Sequence, residues 1–349
     1  MSNYFENLNP TVKEYFSILS PEIPEFIKEY VDTPEMQRIG KISMNCGTDY
    51  TKMFDNKFFY SNLDHSVGVA LIIWNFTKDK KQTLAGLFHD IATPTFKHCI
   101  DFMNGDHEKQ ESTEELTTQI IKDSKEIMAL LNRDGIKLEE VDDYKIYPIA
   151  DNDTPKLSAD RFEYTFSGGF VFKIIWTLDQ IREIYNNVTI LENEEGIKEL
   201  GFKDTEIAEE YINKISNLWP AWITNEDKIT MQFIADTTKK MSEKGYLKIE
   251  DLYKLSEQEV IDKIENCEDK HIANCFKMFR NTTTIGESEE PVEDKYCINI
   301  KAKKRYIIPL TRTEEGIKRI NEVSDIAKQK IENYLTWETK PYAYLDFKF

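Results

Sequence analysis

Long apolar runs are missing from this sequence. The longest, SVGVALIIW and GGFVFKIIW, stop well short of the ~20 residues that a membrane-spanning helix needs. The opening stretch, MSNYFENLNPTVKEYF, has neither the basic start nor the apolar centre of a secretory signal, so the expected compartment is the cytoplasm. Paired cysteines are missing too. Cys46, Cys99, Cys267, Cys275 and Cys297 are odd in number, scattered and without CxxC spacing, which argues against a disulfide framework and a zinc ribbon. Positive charge is scarce: 45 Lys and Arg face 63 Asp and Glu, a net charge of -18 that disfavours binding to nucleic-acid backbones. An anionic substrate therefore requires a locally positive site. Neither a GxxxxGK loop nor a GxSxG elbow occurs, which removes the P-loop and α/β-hydrolase readings.

What remains is a chain of 349 residues, 40% apolar and 31% charged, large enough for a sizeable core and too apolar for disorder. Leu63, Val67, Ala70, Leu71 and Trp74 recur at three and four, which predicts an amphipathic helix from Asn62 to Phe76 carrying His65. A second helix is predicted from Lys80 to Ile91, ending near Thr93-Pro94 with His89 and Asp90 in its last turn. A long helix follows over 107–131, and another restarts after Pro155, with Asp160 and Tyr164 on one face. A hairpin fits 188–197. Capping patterns at Thr224 and Ser256 open further helices. Tyr296 to Lys303 alternates as a strand, and Glu314 to Leu335 reads as a helix burying Ile317, Ile320, Val323, Ile326 and Ile331. The basic run Lys301 to Arg305 reads as a solvated face or a subunit contact.

Histidine is rare but unevenly placed. Four of the five, His65, His89, His98 and His107, fall between residues 65 and 107. Clustered histidine and acid is how metal-ligand sets show themselves in a sequence, and imidazole with carboxylate suits Mn, Fe, Ni or Zn; magnesium prefers oxygen alone. Taken singly, His65 reads as a packed histidine and His89 as a polar residue favoured by the helix dipole. Asp90 does not fit that pattern. At the negative end of a helix it needs a compensating cation. Lys97, between Phe96 and His98, is placed to face an anion.

The ordered set DHSVGVA (His65), AGLFHDIA (His89, Asp90) and KLSADRFEY (Asp160) resembles the H…HD…D signature of the HD-domain metal-dependent phosphohydrolases. HDIATPTFKH and GDHEKQES are similar to the deoxynucleotide triphosphohydrolase branch, and the match covers about residues 30 to 170. The resemblance implies a mostly α protein: an HD-type helical domain over 1–218, a helical extension over 219–285 and a small α+β region over 286–349. By the same resemblance His65, His89, Asp90 and Asp160 would bind a divalent transition metal, one ion rather than two, with magnesium able to arrive with the substrate. His98 and His107, with Asp90, would be catalytic, and Arg161 and Tyr164 would contact phosphate and sugar. The implied activity is hydrolysis of a phosphate ester or anhydride of a nucleotide, a dNTP first, by metal-activated water. The alternatives are a phosphodiesterase or 5'-nucleotidase acting on monophosphates, and a metal-containing module that senses a nucleotide without turnover. A nucleotide or other phosphorylated small molecule is the expected partner, membrane and nucleic acid are not, and a homo-oligomer is expected. Three positions depart from the triphosphohydrolase pattern: Asn62 stands for an arginine, Ala92-Thr93 for Gly-His, and Gly168 for an acid.

Overall fold

The structure, a computed structural model, describes residues 4–108 and 116–349. Its central element is the helix Asn62–Thr77. Ser61 starts it with a reciprocal cap: its hydroxyl accepts from the Asp64 amide at 3.0 Å, while the Asp64 carboxylate accepts from the Ser61 amide at 2.7 Å. The amphipathic pattern predicts one wet face, yet every residue from Asn62 to Ile73 is buried. A helix apolar on nearly all sides belongs inside a bundle. Two glycines let its neighbours come close. A Cβ on Gly68 would lie 2.7 Å from Glu163 Cγ on the helix Ala159–Ser167, and one on Gly86 would lie 2.2 Å from Ile73 Cδ1, drawing in the helix Lys80–Phe88. His65 lies on Asn62–Thr77 and Asp160 on Ala159–Ser167, whereas the helix expected to reach Ile91 ends at Phe88, so His89 and Asp90 follow directly on its end rather than forming its last turn.

The protein is mostly α, with small sheets. Among the described residues the strands are β1 (Val188–Glu192), β2 (Lys198–Phe202), β3 (Gly286–Ser288), β4 (Tyr296–Ile298), β5 (Leu310–Thr313), β6 (Gly316–Arg319) and β7 (Tyr342–Leu345). One sheet runs β1-β2-β5-β6, with β2 and β5 parallel and Gly201 opposite Leu310; the other runs β3-β7-β4.

Two apolar cores result. The larger gathers buried apolar side chains from Val12 to Ile91 and from Ile121 to Ile223 with Ile307, Ile320 and Ile331, and the smaller joins Phe96 and Phe102 to the helices Asn225–Glu243, Glu257–Glu265 and Lys270–Asn281 and to the second sheet. The last part of the chain is shared between them. The segment 93–103 therefore crosses from one core to the other immediately after the His-Asp pair.

Several expected elements are broken. The strand Tyr296–Lys303 survives only as β4, and residues 299–309 have no regular structure. The span Glu314–Leu335 is not one helix: Gly316, at φ +124°, closes the β5–β6 turn, and Ser324 is extended and caps a new helix, Asp325–Thr336, by accepting from the Ala327 amide at 2.9 Å. Each break resets the helical phase, so Ile320 and Ile331 are buried while Ile317, Val323 and Ile326 are 40%, 40% and 50% exposed. Part of the helix expected over 107–131 lies outside the described residues; the rest splits at Ser124 into Thr117–Asp123 and Lys125–Asp134. No helix among the described residues is long and apolar enough to cross a membrane.

Candidate metal centre

His65 occupies the first turn of the helix Asn62–Thr77, and its Nδ1 hydrogen-bonds to Glu163. That carboxylate is fully buried and also accepts from Tyr60 at 2.6 Å, Ser167 at 3.2 Å and Tyr15 at 3.3 Å. Four donors hold it in one position. His89 follows the last residue of Lys80–Phe88, and its Nδ1 lies 2.7 Å from the Gly86 carbonyl oxygen. A carbonyl only accepts, so Nδ1 of His89 carries the proton and Nε2 presents a lone pair. The two Nε2 atoms are 3.1 Å apart, and Asp160 Oδ1 lies 3.1 Å from His65 Nε2 and 3.7 Å from His89 Nε2.

Three potential ligand atoms thus face one point. The hydrogen bonds at the two Nδ1 atoms orient the imidazoles in the way that metal-ligating histidines are usually oriented. His65, His89 and Asp160 each offer a ligand atom within 4.8 Å of the others. The electrostatics also require positive charge. Burial opposes charge on His65, yet Glu163 and Asp160 outweigh it and push the imidazole up to about 9. Burial likewise opposes ionisation of Asp160, but hydrogen bonding to His65 and the field of His89 hold its carboxyl well below the usual range. A divalent transition ion fits this nitrogen and carboxylate donor set.

Asp90, expected as a fourth ligand, stands at the edge. Its Oδ2 lies 3.5 Å from His89 Nε2 and 3.9 Å from His65 Nε2, but only 2.7 Å from Lys97 Nζ. Against the cost of burial, Lys97 and the two histidines keep the Asp90 carboxyl ionised, well below the ordinary carboxylate range. The cation that Asp90 demands at a helix end is present, and it is a lysine. Lys97, expected to face an anionic substrate, instead reaches Asp90, Asn62 Oδ1 at 2.7 Å and Met44 Sδ at 3.0 Å with its three N–H groups.

The ligand atoms open on a cavity of about 500 Å³ that is also lined by His98, Arg161, Tyr164, Trp222, Asp227, Lys303 and Arg305. His98 donates from Nδ1 to Asp101 at 2.8 Å, with Nε2 3.4 Å from the Arg305 guanidinium. Burial and Arg305 hold its imidazole low against the pull of Asp101, which keeps it neutral near pH 7. His107 is elsewhere: it stacks edge-on against Phe102, hydrogen-bonds Gln232 Oε1 at 3.1 Å and does not line the cavity. Arg161 turns its guanidinium into its own loop, bonding the Lys156 carbonyl at 2.7 Å and Asn152 Oδ1 at 2.5 Å, with Asp151 at 3.2 Å. Tyr164 packs on Trp222 with ring centroids 5.3 Å apart, and the Arg305 guanidinium stands 6.0 Å from its ring.

Four residues contribute more than their sequence context indicates. Glu163 stands out in the sequence only by its spacing of three from Asp160, on the same helical face. Lys303 and Arg305 belong to the run that reads as solvated, and their irregular backbone brings them into the cavity. Asp227 reads as half of a capping pattern. Its amide does bond Thr224 Oγ1 at 3.3 Å, but its carboxyl lines the cavity, where burial pushes it up to about 8.

No family model matches the chain. Over 140 residues, 40% of this chain and 42% of the relative, it is 27% identical to the Bacillus subtilis protein described as "Uncharacterized protein YdhJ". Over 149 residues, 41% of this chain and 40% of the relative, it is 24% identical to "Metal-dependent phosphohydrolase cns2" of Cordyceps militaris. The matches thus span about two fifths of the length of these curated relatives. Likeness of fold extends over nearly the whole chain. A hypothetical protein from Aquifex aeolicus superimposes with a TM-score of 0.64 at 17% identity, covering 93% of both chains. A phosphohydrolase from Bacteroides thetaiotaomicron superimposes with a TM-score of 0.62 at 14% identity, covering 94% of this chain and 97% of that one. The chain therefore shares the fold of a solved phosphohydrolase.

Proposed function

We propose that this protein is a metal-dependent phosphohydrolase whose ion is held by His65, His89 and Asp160, with Asp90 beside them. One observation carries the reading: two imidazole Nε2 atoms and a carboxylate oxygen, the imidazoles each oriented by a buried partner, converge within 3.7 Å of one another. The name of the Cordyceps relative and the fold shared with the Bacteroides protein support it. A divalent ion there supplies Lewis acidity and a nucleophilic water at neutral pH.

The chain's own residues do the rest. Lys303 and Arg305 bring positive charge to the cavity of a chain with net charge -18, which answers the need of an anionic substrate. Arg305 is the phosphate anchor, since a guanidinium matches phosphoryl oxygens bidentately. Neutral His98 offers its Nε2 beside Arg305 and accepts or relays a proton during bond cleavage. Tyr164 and Trp222 form an aromatic wall suited to the flat part of a nucleotide. A nucleotide is the substrate class we infer, a dNTP first by resemblance. The inward-turned Arg161 and the departures at Asn62, Ala92-Thr93 and Gly168 mean that this chain grips phosphate through Arg305 and Lys303.

The test is metal analysis of the purified protein, followed by assay of a nucleotide panel with added manganese for released phosphate, pyrophosphate and tripolyphosphate. Tripolyphosphate from a dNTP is the expected product. Orthophosphate from monophosphates would move the reading to a nucleotidase, and nucleotide binding with no product to a sensing module. Protein that neither holds a transition ion nor turns over any phosphate compound would overturn the proposal.

A further inference from the structure

Lys97 sits in a place that a lysine does not reach cheaply. Phe96 and Lys97 both adopt positive φ, +68° and +49°, although neither is glycine, asparagine or aspartate. Consecutive left-handed residues of this kind persist only where surrounding contacts over-determine them. Those contacts come from the smaller core: Thr95 donates from its amide and its hydroxyl to the Leu252 carbonyl, at 2.8 and 2.9 Å, and the Phe96 amide donates to Glu257 Oε1 at 3.2 Å. The strained turn aims Lys97 inward until it is only 6% exposed. All three ammonium hydrogens then find acceptors in Asp90, Asn62 and Met44, which leaves none for a substrate phosphate.

The oxygen of Asp90 that Lys97 holds is the same Oδ2 that comes nearest both imidazoles. Asp90 stands outside the three donors His65, His89 and Asp160, so a second ion could use it as a bridge without displacing any of them from the first. We propose that Lys97 is a built-in second cation: it occupies the bridging position on Asp90, fixes that carboxylate beside the centre and limits the site to one metal ion. This rests on the metal-site reading above. Lys97 is a positioning residue, since it acts through Asp90. A further dication on that oxygen would have to sit about 2 Å from it, within repulsive range of both the ammonium and the first ion.

The experiment is manganese titration of the full chain, with bound metal counted by elemental analysis and the ions' mutual coupling read by electron paramagnetic resonance. Wild type is expected to saturate at one ion with an uncoupled signal, even in excess manganese. Lys97→Ala and the shape-preserving Lys97→Met are expected to take a second ion and show a spin-coupled pair. A coupled pair in wild type, which needs no variant to fold, overturns the proposal. So does a single ion in both folded variants, which would leave the metal site itself standing. No ion in wild type would remove the metal-site reading and this proposal together.

Discussion

The cavity has two unlike walls. One, carrying His65, His89 and Asp160, is built from the turns of regular helices, and both imidazoles are held from behind: His65 by Glu163, His89 by the Gly86 carbonyl. The other, carrying His98, Asp227, Lys303 and Arg305, is assembled from a helix cap, the first turn of a long helix and an irregular stretch near the end of the chain. The first wall suits an ion, which needs its donors placed to a fraction of an ångström. The second suits a substrate, because irregular backbone can vary without disturbing the helices that hold the chemistry. The proposed division of labour is that one wall reacts and the other selects.

The largest expected effect tests the first wall. Asp160→Asn removes the ionised carboxylate of the proposed ligand set while keeping the shape, and is expected to lose bound metal and to lower kcat on the order of a thousandfold, since a bound ion is worth several kcal/mol of transition-state stabilisation. Elemental analysis and phosphate release on one preparation check it. Retained metal with full turnover would break the comparison at its root.

A smaller loss follows from the residue behind the histidine. Glu163→Gln removes the negative charge that orients His65 and is expected to weaken metal affinity by about ten- to a hundredfold, read by titration. Gly68→Ala reaches the same carboxylate without changing its charge: the new Cβ would stand 2.7 Å from Glu163 Cγ. Overpacking of this kind costs roughly 1–3 kcal/mol, visible as a lower denaturation midpoint, and weaker metal binding should accompany it. Metal affinity unchanged in both variants would show that His65 is placed by its helix alone.

How much of this is legible in the sequence follows the same division. His65 can be placed because helical periodicity is a local signal, and His89 and Asp160 because the Thr93-Pro94 step and the restart after Pro155 mark where their helices end and begin. Glu163 is visible but ambiguous, since spacing says which face a residue shares and not what it meets there. Lys97 can be seen as a cation near an acid, but its inward aim depends on the left-handed turn at Phe96, which is imposed by contacts of Thr95 and Phe96 with residues about 160 positions away. Lys303 and Arg305 are illegible for a related reason. An alternating pattern predicts a strand, but β4 ends at Ile298 and the backbone beyond it follows tertiary contacts alone. The buried stripe expected on Glu314–Leu335 fails because one glycine and one serine reset the phase twice.

Substitution in the second wall sharpens the contrast. Arg305→Ala is expected to leave metal content at the wild-type level and to raise KM for the phosphate substrate about tenfold, the loss of roughly one charge-assisted contact. If kcat and metal content fall while KM holds, Arg305 belongs functionally to the first wall.

The smallest effect on turnover is expected where the smaller core supports the centre from outside. Glu257 is fully buried and accepts from the amides of Ser43 and Phe96 and from the Tyr50 hydroxyl, with no lysine or arginine among those partners. Burial pushes its carboxyl up to about 8, against about 4.3 for a glutamate in an unfolded chain. The folded protein therefore binds that proton more tightly than the unfolded one does. Its contribution to stability is complete below about pH 4 and is lost progressively as pH rises toward 8. Glu257→Gln removes the titration and keeps the shape, so the stability lost between about pH 5 and pH 8, read from denaturant midpoints, should be smaller in the variant than in wild type. Asp227, pushed up to about 8 as well, titrates in the same window on the cavity wall, and it does so in both proteins, which leaves the difference between them to Glu257. Equal losses in the two proteins would mean that Glu257 is already charged in the fold, and that the turn carrying Lys97 is anchored by an ionised carboxylate.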